Sequence, residues 1–304
     1  MRIKVILAAL YVPLLGTMLL LPLAARNRLE HALFDGVHAP LFAVLAIAIF
    51  VLLRLVVENR PILCAFTGFL LASGMGAILE VAQSYVGRSS SVPDAIANIL
   101  GAAAGALWTL TTAYGPWPRR AFAVAGTFCL LVAEIPPASM LADVLVQRRQ
   151  LPRVASFESF LEMSRWHPRE CGWTRVEEHA TEGRFALRVE LAREGKYPGP
   201  IMIDPGANWT GHDYFRCDLW LDGEEPLPLI VKIEDAAHNG DFHDRFHQSF
   251  VLLPGPNYLK ISLAEVAAAP RDRQLDLSTV KMVQFFTRRP ASARTIYLDN
   301  LRLE

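Results

Sequence analysis

Near residue 150 the spacing of apolar residues changes, and that change limits the fold more than any other feature of the chain. Before it, apolar residues come in long unbroken runs; after it, they alternate with polar ones. About 20 apolar residues in a row cross a bilayer as a helix rising 1.5 Å per residue. Alternation with a period of two marks strands that bury one face. A chain of 304 residues has room for two domains of ordinary size. The expectation is a multi-domain protein. An α-helical transmembrane bundle of about five spans fills residues 1–150, and an all-β sandwich fills residues 151–304.

Charge follows the same division. Residues 1–150 carry 11 Lys+Arg and 7 Asp+Glu, leaving 19 and 23 for residues 151–304. The slightly acidic second half has no basic run of the kind that neutralises nucleic-acid phosphates, so a nucleic-acid partner is not expected. Cys64 and Cys129 sit within apolar runs and read as small hydrophobes. Cys171 and Cys217 could pair in an oxidising compartment. Alternation with Phe215, Leu219 and Leu221 makes Cys217 a core thiol instead. No cysteine spacing resembles a zinc site.

The five apolar segments are Ile3–Leu23, Pro40–Val57, Ile62–Val86, Ala95–Thr112 and Ala121–Ile135. The first has the flanks of a cleaved signal peptide, but its length and the spans behind it favour an uncleaved helix. The fifth is interrupted by Glu134 and Pro136-Pro137. It is expected to end at Pro136, followed by an interfacial stretch with Met140, Leu141, Val144 and Leu145 on one face. Arginines are balanced between the two sides of the bundle, so loop charge does not orient it.

Polar groups in apolar helices are costly, and here they form three sets. Asp35 and His38 precede the second span, Glu80 and Gln83 end the third, and Asp94 and Asn98 open the fourth after Gly87-Arg88-Ser89-Ser90-Ser91. Spacings of three and four place each set on one helix face. Gly101 and Gly105 extend the Asn98 stripe and allow close helix approach. Because spans alternate in direction, all three sets meet at one membrane face. Interfacial caps and interhelical hydrogen bonds explain any single residue; a shared polar pocket explains the convergence.

The order D-x-x-H, E-x-x-Q, G-R-S, D-x-x-x-N-x-x-G-x-x-x-G resembles the VanZ-like family of bacterial membrane proteins over roughly residues 30–110. The resemblance implies a bacterial cytoplasmic membrane protein and marks Asp35, His38, Glu80, Gln83, Arg88, Asp94 and Asn98 as positions of interest. The family's founding member is associated with resistance to the glycopeptide teicoplanin. Gly36 stands where the family often has a basic residue after the first Asp, so no ion pair is carried over there.

In the second half, Tyr214–Asp222, Leu229–Asp235, Arg245–Leu253, Tyr258–Leu263, Lys281–Thr287 and Thr295–Leu303 read as strands between turn clusters. The last strand TIYLDNLRLE, Gly183 before Phe185–Leu191, and the Pro254-Gly255-Pro256-Asn257 turn resemble jelly-roll domains related to carbohydrate-binding modules and galactose-binding-like folds. That resemblance implies a saccharide ligand and, by analogy, a structural calcium at Asp299. With Phe215, Leu219, Val231 and Ile233 facing the core, their alternates are expected to share one outer face. These are Arg216, Asp218, Trp220, Lys232 and Glu234, extended by Arg245, His247 and Ser249. Mixed charge plus an aromatic ring suits a polar ligand, whereas cross-strand ion pairs account for the same pattern without one. The loop holding His238, Asp241, His243 and Asp244 reads as turn polarity more readily than as a metal site.

The expected function is recognition of an envelope glycan, lipid-linked saccharide or glycopeptide at the outer face of the membrane, with membrane lipid as the surrounding partner. The amino terminus is then cytoplasmic and residues 151–304 extracytoplasmic. An enzyme alternative makes His38 the acid or base of a hydrolase or transferase on a lipid-linked substrate. A transporter or scramblase is the third. The chain has no nucleophile elbow, P-loop or zinc-protease motif, which weighs against the enzyme, and no cofactor is expected.

Overall fold

The computed structural model describes residues 11, 25, 27–85, 92–206 and 208–304. The expected first span, apart from Tyr11, the loop holding Arg88, and the Gln83 side chain lie outside the described residues. The chain forms two compact units, residues 1–141 and 142–304.

The first unit is helical: α1 (Arg28–Leu53), α2 (Pro61–Tyr85), α3 (Val92–Leu110) and most of α4 (Pro116–Gln150). Asn27 caps α1 by accepting from the Glu30 N–H at 3.0 Å. Small residues hold α1 and α3 together. A Cβ built on Gly101 would lie 2.1 Å from the Ala39 carbonyl oxygen, and one on Gly105 would lie 2.1 Å from that of Ala43. Only glycine permits this approach. On α2 and α4 many large apolar side chains are exposed, among them Ile62, Phe66, Leu70, Ile78, Val124 and Phe128.

Among the described residues, three helices are long and apolar enough to cross a membrane: Arg28–Leu53, Pro61–Ala82 and Pro116–Gln150. This corrects the expected count of about five. The fourth segment is a helix, α3, but Asp94, Asn98 and many glycines and alanines dilute its apolarity. The fifth does not end at Pro136: α4 runs through Pro136-Pro137 for 35 residues. A proline removes one intrahelical hydrogen bond and crowds the preceding turn, which bends a helix without necessarily stopping it. Ser139 Oγ donates to the Pro136 carbonyl at 2.7 Å.

The second unit is a sandwich of two antiparallel sheets. One has the order β3 (Cys171–Val176), β4 (Ala186–Leu191), β11 (Arg294–Leu303), β6 (Tyr214–Leu221), β9 (Gly255–Ser262), with β1 (Arg153–Ala155) also on β11. The other has the order β2 (Trp166–Arg169), β5 (Gly199–Ile203), β10 (Val280–Phe286), β7 (Leu227–Asp235), β8 (Phe246–Leu252). The short helix α5 (Leu263–Ala268) follows β9. Along β6 the register is the one expected: Phe215, Cys217, Leu219 and Leu221 are buried and their alternates half-buried. They meet Val231, Ile233, Val283 and Phe285 from the other sheet, with Trp209 stacked on Phe215 at 5.0 Å. All four cysteines are free, and burial pushes the Cys217 thiol well up.

The end of α4 belongs to this second unit. Asp143 there forms a fully buried two-pronged pair with Arg165, which donates from Nε at 2.9 Å and from Nη2 at 2.8 Å. Arg165 Nη1 donates to the Val154 carbonyl at 2.8 Å. Starting the sandwich at Ala142 is therefore expected to leave it stable, whereas starting at Pro152 strands a buried guanidinium. The same holds for Asp143→Ala in the whole chain, which should lose about 3–5 kcal/mol of sandwich stability. Chemical denaturation followed through tryptophan fluorescence measures this; a loss below about 1 kcal/mol would show the pair to be dispensable.

Candidate functional site

The outer face of the β2-β5-β10-β7-β8 sheet carries a cleft of about 170 Å³. Strand pairing sets Ile201, Gln284, Lys232 and His247 side by side on β5, β10, β7 and β8. Arg169 ends β2, Arg288 follows β10, and Arg245 precedes β8; all three line the cleft. Tyr197, Phe242 and Phe286 supply its aromatic walls. Tyr197 meets Phe286 edge-on at 5.7 Å, and Phe242 lies 4.2 Å from the His247 ring. Gly199 makes the floor possible: its backbone approaches β10 so closely that a Cβ would lie 1.9 Å from the Phe285 oxygen.

Lys232 and Glu234, both buried, pair at 2.9 Å, and Arg245 reaches the same carboxylate at 3.4 Å. Burial lowers the Lys232 ammonium, opposed by Glu234 and assisted by Arg245 and Arg169. His247 is also held low, first by burial and then by Arg245, Arg288 and His243, which favours its neutral form at pH 7. Gln284 Nε2 and Arg245 Nε are buried without a hydrogen-bond partner.

The single outer face expected from the sequence is divided. Lys232, Glu234, Arg245 and His247 belong to the cleft sheet, whereas Arg216, Asp218 and Trp220 lie on β6 in the other sheet. A single face would need β6 and β7 to be neighbours in one sheet, but β7 lies in the opposite layer. The β6 group already has partners. Trp220 stacks on His179 at 4.1 Å, Arg216 pairs with Glu304 at 2.7 Å, and Asp218 accepts from Thr181 and Asn300. Sequence reasoning missed Arg169, Tyr197, Gln284, Phe286 and Arg288 in the cleft. Gln284 and Phe286 alternate with Val283 and Phe285, which was the available signal.

Asp299 does not fit a calcium site. Its carboxylate accepts from the Thr181, Glu182 and Asn300 backbone N–H groups and from the Thr181 hydroxyl. Donors turned toward both oxygens repel a cation, so Asp299 fastens the 181–182 loop instead. Burial pushes this carboxyl up against those bonds. Among the described residues no cluster of three His, Cys, Asp or Glu is arranged to hold a metal. In the His238 loop, His238 contacts Glu234 and Asp244, and Asp244 pairs with Arg273.

In the helical unit, His38 Nδ1 lies 3.0 Å from Asn98 Oδ1, and both residues are buried. Gly76 packs on Asn98: a Cβ there would lie 3.0 Å from that of Asn98. Glu80 is buried, while Asp35 and Asp94 are half-buried. Glu134, read only as an interruption of its run, brings Oε2 within 3.4 Å of a Cβ placed on Gly36, and its Oε1 is buried without a partner.

No family model matches the chain, and no curated protein does. Among solved structures, the sandwich half is similar to an exo-β-agarase at 16% identity, covering 50% of this chain and 24% of that one, with a TM-score of 0.40. It is similar at the same identity and TM-score to the family 11 carbohydrate-binding module of Clostridium thermocellum, solved with a β-1,3-1,4-mixed-linked tetrasaccharide; the match covers 49% of this chain and 92% of the module. The CBM22-1 xylan-binding domain of Paenibacillus barcinonensis Xyn10C matches at 17% identity, over 50% and 94% of the two chains, with a TM-score of 0.35.

Beside the cleft, Arg273 clamps Asp235 and Asp244, donating from Nη2 to Asp235 at 2.7 Å and to Asp244 at 3.1 Å. Burial alone would raise Asp235, but Arg273 and the Asp276 N–H outweigh it and hold the carboxyl low. Arg273, then the Asn239 N–H, hold Asp244 low. A depressed folded-state pKa adds stability that is present above the unfolded value, about 4, and disappears as pH falls through the folded value. Arg273→Gln should therefore destabilise the sandwich at pH 7 and much less at pH 3, by thermal unfolding. An equal loss at both pH values would contradict the clamp.

Proposed function

We propose that this protein is a membrane-anchored glycan-recognition protein, whose helical unit sits in the bilayer and whose sandwich binds a saccharide in the Gln284–Lys232 cleft. The observation that carries this reading is the make-up of the cleft. Flat aromatic side chains flank a floor of hydrogen-bonding groups on a rigid sheet, and two donors there have no protein partner. Sugars present both apolar ring faces and hydroxyl oxygens, so they suit such a surface. On this reading the sandwich is a jelly roll of the carbohydrate-binding type and faces the cell envelope, where a lipid-linked saccharide or glycopeptide is within reach. The three apolar helices support the anchoring part.

A second reading treats the helical unit as VanZ-like and as the seat of chemistry on a lipid-linked substrate. The buried His38–Asn98 contact supports it, and Glu80 on α2 is also buried. His38 would serve as acid or base. On this reading Arg88 would hold a substrate phosphate.

Binding to an oligosaccharide array, using the whole chain in a detergent without a sugar headgroup, separates these readings. Tyr197→Ala and Phe242→Ala should each weaken saccharide binding roughly tenfold, about 1.4 kcal/mol. Trp220→Ala, on the other sheet, should leave binding unchanged. His38→Ala should not alter it either. Loss of binding in Trp220→Ala but not in Phe242→Ala would move the site to the β6 face and end the cleft reading.

A further inference from the structure

The cleft is not only polar but cationic, and the charge is gathered from separate parts of the chain. Arg169, Lys232, Arg245 and Arg288 reach it from β2, β7, the approach to β8, and the segment after β10. Among the described residues no Asp or Glu lines it. The nearby carboxylate, Glu234, is divided among Lys232 at 2.9 Å, His238 at 3.2 Å and Arg245 at 3.4 Å. Among the described residues neither Arg169 nor Arg288 meets a carboxylate.

Of these four positive groups Lys232 and Arg245 share Glu234 while Arg169 and Arg288 bring further charge, so they repel each other, more strongly as solvent is excluded. Burial is the first cause of the lowered Lys232 and His247, and nearby cations add to both, opposed by Glu234 at Lys232. A neutral ligand would leave the repulsion in place and add desolvation. An anionic oxygen would relieve it. The two unpartnered donors point the same way: Gln284 is 2% exposed, and its Nε2, like Arg245 Nε, has no acceptor. Charge-assisted bonds to carboxylate or phosphate are the strong ones a guanidinium makes. The aromatic walls offer apolar faces for a sugar ring beside the charged group.

We infer that the cleft takes an acidic saccharide, one that bears a carboxylate or a phosphate. Arg169, Arg245 and Arg288 hold the charged group, and Gln284 donates to an oxygen beside it. This rests on the glycan reading above and narrows its ligand class.

The test is an array holding uronate oligosaccharides and phosphorylated saccharides, each beside its carboxyl-reduced or dephosphorylated counterpart. Inorganic phosphate and anionic vesicles serve as competitors of the whole chain in sugar-free detergent. The acidic member of at least one pair should bind at least roughly tenfold tighter, and added salt should narrow that gap. Whether the uronate or phosphate arm responds identifies the group. Arg169→Gln and Arg288→Gln change exposed side chains and leave the core untouched. Each should weaken acidic binding roughly tenfold, several times more than it weakens binding of the neutral counterpart. Neutral counterparts binding as tightly as acidic ones would overturn the inference and leave the glycan reading standing. Binding of no saccharide by the folded protein would overturn both. Vesicles or phosphate competing as well as the acidic saccharide would reduce the cleft to an anion site and overturn the inference.

Discussion

A bidentate ion pair with no exposure to solvent, Asp143 with Arg165, joins the last turns of α4 to the sandwich and sets where its second sheet begins. Such a pair is expensive to bury and worse to break, because the survivor is a charge in an apolar core. The residue after Arg165 is Trp166, whose ring lies 5.4 Å from Phe157 and 6.5 Å from Phe285. Phe285 faces the core between Gln284 and Phe286, which face the cleft. The chain from helix end to cleft floor is thus a short series of direct contacts. The sandwich places its polar recognition face on the back of a packed layer that this pair helps to fix.

The helical unit follows a related rule in different surroundings. Close contact of Gly101 and Gly105 with the Ala39 and Ala43 backbone removes space for water or lipid between α1 and α3. The polar residues one turn away are forced to satisfy one another, and His38 and Asn98 do so at 3.0 Å. Gly76 admits Asn98 on the other side. Small residues thus make a buried polar contact possible where large apolar ones would exclude it.

Much of this was legible in the sequence because periodicity reports burial directly. The β6 alternation predicted which of Phe215 to Leu221 face inward, and the small-residue stripe beginning at Asn98 predicted a helix contact. Sheet membership was not legible. Period two gives a face for each strand but not the layer in which the strand lies, so Trp220 and Lys232 were placed together when the β6-to-β7 connection separates them. Pro136-Pro137 misled for a different reason: a proline's local cost is readable, but the packing that lets a helix absorb it is not. Buried charge escaped as well. Asp143 and Arg165 look like surface residues in sequence, since only the fold brings a helix end against a strand entrance.

The central claim is that recognition occurs on the β2-β5-β10-β7-β8 sheet, and hydrogen exchange on the whole chain tests it most directly. With a bound saccharide, backbone amides in residues 166–169, 228–234, 242–249 and 282–288 should gain protection, while those in 214–221 and 295–303 stay unchanged. Protection confined to 214–221 and 295–303 would contradict the account and return the site to the face around Trp220.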